Sequence, residues 1–348
     1  AEKIPSWWEI EKIWYPKHLS LEQCSSEITA RYKARLLQGD SLTDLTGGFG
    51  IDCSFLATGF KSATYVERQE ELCEIAAHNF PVLNLNHINI KNEDGVTYLQ
   101  VMSPVDCLFL DPARRNEHGG KTVAISDCEP NVAELEALLL NKANRVMIKL
   151  SPMLDLSLAL KELKQTQEVH ILSVNNECKE LLILLGQTSP AEISIHCVNL
   201  FTKGTQKEQH FVFTREQEQC SECTYTDSLE TYLYEPNASL LKAGAFRSIA
   251  AAYPVRKLHP NSHLYTSDTF IENFPGRIFR IVNQCSFNKK EVKENLADLK
   301  KANVTVRNFP ATVAELRKRL HLTEGGDTYL FASTLNNGQK VIIRCEKV

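Results

Sequence analysis

Between residues 41 and 174, short apolar runs alternate with amphipathic stretches. This alternation restricts the fold more than any other feature of the chain. SLTDL, ATYVE, HINIKN, VDCLFLD, RVMIKLS and VHILSVN have the length and composition of strands. CSFLAT, QEELCEIAAHNF, NVAELEALLLNKA and LDLSLALKELK lie between them and read as helices. Strand–helix repeats of this kind bury their apolar faces as an α/β fold with a parallel, doubly wound sheet. The pattern then changes. HILSVNNECKELLILLG, EISIHCVNLF and QHFVFTRE read as consecutive strands, which predicts antiparallel edge strands.

Around this core the chain has room for two or three domains in its 348 residues. Residues 1–40 open with Trp7, Trp8, Trp14 and Tyr15 and continue into a helical pattern, SSEITARYKARLLQ. Ser25 or Ser26 caps that helix, Ile28, Tyr32 and Leu36 share one face, and Gly39 ends it. The first large domain spans 41–220. The acidic, turn-rich TREQEQCSECTYTDSLE follows as its boundary. YEPNASLLKAGAFRSIAAAYPV, 234–255, predicts a helix capped at Asn237. RIFRIV, KKEVKENLADLKK, VTVRNF, TVAELRKRL, TYLFAS and KVIIRC then predict strand, helix, strand, helix, strand, strand, a small α+β module.

Charge is divided unevenly. Residues 1–240 carry 21 Lys and Arg against 34 Asp and Glu, a balance of −13, whereas residues 241–348 carry 18 against 9, a balance of +9. A basic back on an acidic front points to a polyanionic partner, nucleic acid. Lys289, Lys290 and Lys293 open one predicted helix, Lys300 and Lys301 close it, and Arg317, Lys318 and Arg319 sit on the next. Such side chains contact phosphates without reading sequence. No apolar run reaches membrane-span length, and AEKIPSWWEI lacks a signal-peptide profile, so a cytoplasmic location is expected. The 11 cysteines are scattered and odd in number, as for reduced core thiols. Cys220 and Cys223 form one CxxC with no second pair at zinc spacing. His259 and His263 flank a proline. No metal is expected.

The loop after the first strand is LTDLTGGFGID, 42–52. It sets Asp44 and Asp52 on either side of Gly47, Gly48 and Gly50. Carboxylates there would repel a phosphate. The dinucleotide fingerprint G-x-G-x-x-G/A, aligned on Gly48 and Gly50, meets Cys53 at its third position, and the GK[ST] of a phosphate loop is missing. The loop suits a ligand with a cationic or amine-rich end. More acids recur at strand ends: Glu67 after ATYVE, Asp94 in KNEDG, and Asp111 in LFLDPARR.

DLTGGFGID resembles motif I of class I S-adenosylmethionine-dependent methyltransferases. The resemblance implies that Gly47, Gly48 and Gly50 lie against the cofactor and that Asp44 meets its methionine ammonium. It also implies that Glu67 accepts the ribose hydroxyls and Asp94 the adenine amine. DPAR resembles the DPPY motif of enzymes that methylate amino groups of bases. There Asp111 and Pro112 would orient the acceptor nitrogen, with Ala113 in place of the second proline and Arg114 in place of the aromatic. A guanidinium plane stacks on a base as an aromatic does. Ser25, Ser26 and Thr29 are further pocket candidates. Carbon methylation needs a cysteine nucleophile, but Ser151 stands where one would be expected and Cys107 lies inside a strand.

EQCSSEITARYKA, DLTGGFGID, LDPARR, KLSP, ECKELL and YEPNASLLKAG together resemble a bacterial methyltransferase family with a C-terminal THUMP-like domain. That resemblance implies a ferredoxin-like module over 234–282 and a THUMP-like module over 283–348. It implies S-adenosylmethionine as cofactor and RNA, tRNA or rRNA, as partner, with methylation at a base nitrogen. The alternatives are an RNA-binding protein that keeps the fold without turnover, and a DNA amino-methyltransferase.

Overall fold

The computed structural model describes residues 3–16, 24–114, 124–188 and 190–348, without the Arg114 side chain. The chain forms two compact units, Ala1–Glu208 and Gln209–Val348. The division falls before the acidic 214–230 segment, which belongs to the second unit and carries a short helix, Arg215–Cys220.

The first unit is built on β1 (Ser41–Asp44), β2 (Ser62–Glu67), β3 (Ile88–Asn92), β4 (Val105–Leu110), a two-residue β5 (Ala113–Arg114) and β6 (Cys128–Glu129). β7 (Ala143–Leu150), β8 (Thr166–Val174), β9 (Glu177–Gly186) and β10 (Ser194–Leu200) follow, and β11 (Glu208–Thr214) begins at the last residue of this unit. The main sheet has nine strands in the order β11-β10-β8-β9-β7-β4-β1-β2-β3, while β5 and β6 pair apart from it. β3, β2, β1, β4 and β7 run parallel, as the strand–helix repeat requires. β9 is antiparallel to both β7 and β8, and β10 returns to parallel on β8. The antiparallel element therefore includes an inner strand.

Helices cover both faces, so the central strands are apolar almost throughout: β4 and β7 end in four and five buried residues. Leu42, Phe109, Met147, Leu182 and Leu184 pack with Tyr32 and Leu56 in one cluster. Each such side chain contributes roughly 1.5–3 kcal/mol on burial. The helix capped at Ser26 spans Glu27–Ala34 and stops at Arg35, short of Gly39. Gly39 has a different task. A Cβ there would lie 2.6 Å from the Asp106 Cβ, and the Asp106 carboxylate accepts from the Asp40 and Ser41 amides to fix the start of β1. Ile4, Trp7 and Ile13 pack against Phe49 and Ile51, so the aromatic N-terminal segment braces the glycine loop.

The second unit carries β12 (Tyr232–Pro236), β13 (Arg256–Lys257), β14 (Tyr265–Ser267), β15 (Gly276–Ser286), β16 (Asn303–Val306), β17 (Thr328–Thr334) and β18 (Lys340–Lys347). They form a seven-stranded sheet in the order β13-β14-β12-β15-β18-β17-β16. From β15 onward the predicted succession of strands and helices is observed, but residues 234–255 do not form one helix. Tyr232–Pro236 pairs with β15 as a strand. Asn237 then caps Ala238–Ala243, with Leu240 N donating to its Oδ1 at 3.2 Å. Gly244, at φ 76°, breaks the run before Phe246–Ala252. The helix Lys289–Leu296 ends before Lys300 and Lys301, which lie beyond it.

Candidate active site

Strand order reverses between β1 and β4, and at the carboxyl ends of these strands the first unit opens into a cleft of about 1120 Å³. Asp44, Gly47, Gly48, Gly50, Asp52, Glu67, Asp94, Asp111 and Pro112 all line it. Residues scattered between positions 44 and 112 thus meet in one place.

Local chemistry shapes the glycine loop. Gly48 and Gly50 have φ of 54° and 84°, a region glycine enters without penalty. A Cβ on Gly47 would lie 2.3 Å from the Tyr65 ring, so no larger residue fits. A Cβ on Gly48 would meet only Thr46 O at 3.8 Å, leaving its backbone open to a ligand. Tyr65 Oη donates to Gly48 O. Glu67 accepts from Gly48 N at 2.8 Å and Gln69 N at 2.9 Å, so the second strand's acid also ties down the loop. Phe49 turns away to meet Trp7 edge-on at 5.2 Å.

Asp44 is 1% exposed. Its Oδ1 accepts from Thr46 N at 3.0 Å, and its Oδ2 is buried with no hydrogen-bond partner. Burial pushes its carboxyl up to about 8. The Thr46 amide opposes this, and the nearby Asp52, Asp111 and Glu67 reinforce it. An orphaned buried carboxylate oxygen is costly, and a cationic ligand group would relieve it. Thr46 Oγ1 accepts from Asp111 N at 2.6 Å, linking the glycine loop to the DPAR turn. Asp94 stands just past β3 and caps the helix Gly95–Val101, accepting from Val96 N at 3.0 Å and Thr97 N at 2.9 Å.

Asp52 sits in the first turn of the helix Ile51–Ala57. Its charge is met from within the protein: Lys33 Nζ lies 2.9 Å from Oδ1, Lys149 Nζ lies 3.4 Å from Oδ2, and Ser25 Oγ donates at 2.7 Å. The two lysines hold its carboxyl down at about 2 against the effect of burial. Lys149 Nζ also contacts Asp111 Oδ2, and Lys33 Nζ lies 2.7 Å from Glu180 Oε2. Lys33, Lys149 and Glu180 are absent from the sequence-derived site. The available signal was a charge embedded in apolar strands, RVMIKLS and ECKELLILLG, where an ion persists only with a partner.

Ser25 belongs to this network. Ser26 sits at the helix start, and Thr29 donates to Ser26 O at 3.0 Å without lining the cleft. Ala113 and Arg114 form β5, which pairs with Cys128 and Glu129. The Arg114 side chain and Arg115 lie outside the described residues. Cys107 is buried in β4, where burial pushes its thiol up to about 11. It therefore presents no thiolate for carbon methylation. None of the 11 cysteines, all described, is in a disulfide.

Among the described residues, Glu168, His170 and His196 form one cluster with metal-ligand chemistry. His170 Nδ1 bonds to Tyr32 Oη at 2.8 Å and its Nε2 to Glu168 at 3.2 Å. The two imidazoles stack at 4.3 Å and 16°, which sets their nitrogen lone pairs side by side instead of converging. In the second unit, Arg317, Lys318 and Arg319 lie on the helix Val313–Leu320, with the Arg319 guanidinium 3.9 Å from the Phe287 ring centroid.

Similarity to known proteins extends along almost the whole chain. Residues 232–275 match the model of a ferredoxin-like domain and residues 276–347 that of a THUMP domain-like family. The crystal structure of a candidate methyltransferase from Porphyromonas gingivalis W83 is 37% identical, with a TM-score of 0.90 over 99% of this chain and 86% of that one. This chain belongs to a methyltransferase family with a C-terminal THUMP-like domain. Uncharacterized S-adenosylmethionine-dependent methyltransferases of two Mycobacterium tuberculosis strains, CDC 1551 and H37Rv, are each 22% identical over 311 residues, 87% of this methyltransferase and 80% of theirs.

Proposed function

We propose that this methyltransferase moves a methyl group from S-adenosylmethionine to a nitrogen of a base in RNA, tRNA or rRNA. The observation that carries the reading is the cleft itself. It is lined by Asp44, Glu67, Asp94 and Asp111, which stand at or just past the ends of four parallel strands, and the deepest of them has an oxygen without a partner. That donor set fits a ligand with a sulfonium and an ammonium and no phosphate.

When bound, the cofactor supplies an electrophilic methyl, and its sulfur keeps the bonding pair as the methyl leaves. The protein contributes proximity and orientation. Asp44 receives the ammonium, the Gly47, Gly48 and Gly50 backbones flank the cofactor, Glu67 accepts from the ribose and Asp94 from the adenine amine. Asp52 acts through the field it shares with Lys33 and Lys149. Asp111 and Pro112 face the acceptor nitrogen, and Arg114 stacks on the base. Residues 41–220 carry the transfer chemistry. Residues 232–275 form the ferredoxin-like module, and the basic THUMP-like module over 276–347 docks RNA through phosphates.

Calorimetric titration of S-adenosylmethionine into the unmodified chain and Asp44→Ala tests the pocket. Micromolar binding lost in the variant supports the reading. No binding by the unmodified chain would leave an RNA-binding scaffold without turnover as the better account.

A further inference from the structure

The cleft floor carries more charge than cofactor binding calls for. β4 and β7 are parallel neighbours with Leu110 opposite Ile148, so Asp111 and Lys149 arrive together at the cleft. From there acids and bases alternate inward: Asp111, Lys149, Asp52, Lys33, Glu180. Ser25 Oγ ties the middle together, donating to Asp52 at 2.7 Å and accepting from Lys33 at 2.8 Å and Lys149 at 3.1 Å. The lysine side chains are 0% and 10% exposed, those of Asp52 and Glu180 10% and 8%, and that of Asp111 36%. The chain of charges therefore has one open end, and that end is Asp111.

Removing this many ions from water costs several kcal/mol each, and apolar residues would fill the same space with less penalty. What the arrangement delivers is the state of Asp111. Three carboxylates against two ammoniums leave the set one negative, with the negative terminus on the cleft wall.

We propose that Lys149 is a positioning residue for methyl transfer: braced by Asp52, Ser25 and Lys33, it holds Asp111 as a fixed carboxylate facing the acceptor. This rests on the reading of Asp111 as the acceptor-side acid. A carboxylate accepts a hydrogen bond from the acceptor N–H and takes the proton that nitrogen gives up on methylation; a protonated carboxyl can do neither at the same oxygen. Burial pushes Asp111 up, and Lys149 is the strongest influence holding it down. The other charged groups facing it are Asp52 and Lys33 from the two neighbouring helices and Asp44 from β1.

Infrared difference spectroscopy of the full-length protein reads the state of Asp111 without cofactor or RNA. In the unmodified chain at neutral pH, Asp111→Asn removes no protonated-carboxyl band. In Lys149→Met, the same substitution removes one, and the Asp111 midpoint rises by about one to three pH units, the size of a direct charge partner's effect. Lys149→Arg, which keeps the charge, keeps the midpoint of the unmodified chain. A protonated Asp111 in the unmodified chain overturns the proposal, as does a midpoint unmoved in Lys149→Met. The first comparison decides even if Lys149→Met does not fold, because Asp111→Asn alters only a cleft-wall residue. Calorimetry with S-adenosylmethionine separates this from the functional reading: a shifted midpoint in a chain that binds no cofactor leaves the charge assignment standing and removes the activity.

Discussion

Asp44 has to lose a proton before it can serve a cationic ligand, and that requirement has a measurable size. Its buried carboxyl titrates at about 8 in the ligand-free chain, with Oδ2 unpartnered. With an ammonium against it, the carboxylate should return to its ordinary range near 4, where Asp residues titrate. Between about pH 5.5 and 7 the ligand's ammonium is constant while Asp44 is mostly protonated, so affinity should climb about tenfold per pH unit, or about 1.4 kcal/mol. The climb stops near pH 8, where Asp44 is already ionised and the ligand's α-amino group, ordinarily about 7.7–8.0, begins to lose its own proton. Binding near pH 6.5 should release close to one proton per chain. Calorimetry in two buffers of different ionisation enthalpy measures that number directly. The same shift acts on folding with a definite sign. Because the native value lies above the unfolded one, the stability this group lends is complete below about pH 4 and is lost as pH rises through about 8. Flat affinity across the acidic window, buffer-independent heats, or proton release surviving in Asp44→Asn would refute the reasoning.

Further outcomes follow from other parts of the cleft. Gly48→Ala places its Cβ toward open space at φ 54°, so it should cost only about 1–2 kcal/mol in thermal melts while weakening cofactor binding at least tenfold. Gly47→Ala should instead lower the melting temperature, since its Cβ would lie 2.3 Å from the Tyr65 ring; overpacking of this kind costs about 1–3 kcal/mol. Lys33→Met leaves Asp52 and Glu180 buried without their shared ammonium and should destabilise the protein by about 3–5 kcal/mol in denaturant titrations. Reversing the charges of Lys289, Lys290 and Lys318 should weaken RNA binding evenly across sequences. It should also reduce the salt slope by about one per lost phosphate contact.

The parallel core was legible because strand and helix periods alternate locally and each needs the other's apolar face. Asp44, Glu67, Asp94 and Asp111 were legible for the same reason: a strand end is a recognisable place, and an acid at four of them forms a pattern. Strand order was harder. β9 was expected at an antiparallel edge but lies between β8 and β7, and its antiparallel pairing alone does not mark which neighbours it takes. Lys33 and Glu180 were hidden because the pair spans 147 positions of sequence and exists only in the folded chain. Residues 234–236 read with the helix capped at Asn237, whereas pairing with β15 makes Tyr232–Pro236 a strand. Gly244 then split the remainder by taking a left-handed conformation. Gly39 read as a helix end, whereas the close approach of Asp106 is what requires it.

The most direct test of the account is transfer of labelled methyl from S-adenosylmethionine to total RNA from cells lacking this protein, followed by nuclease digestion and identification of the modified nucleoside. The account predicts label in one RNA species, on a base nitrogen, lost in Asp44→Ala and Asp111→Asn. Cofactor binding with no label in RNA, or label appearing in DNA instead, would contradict it.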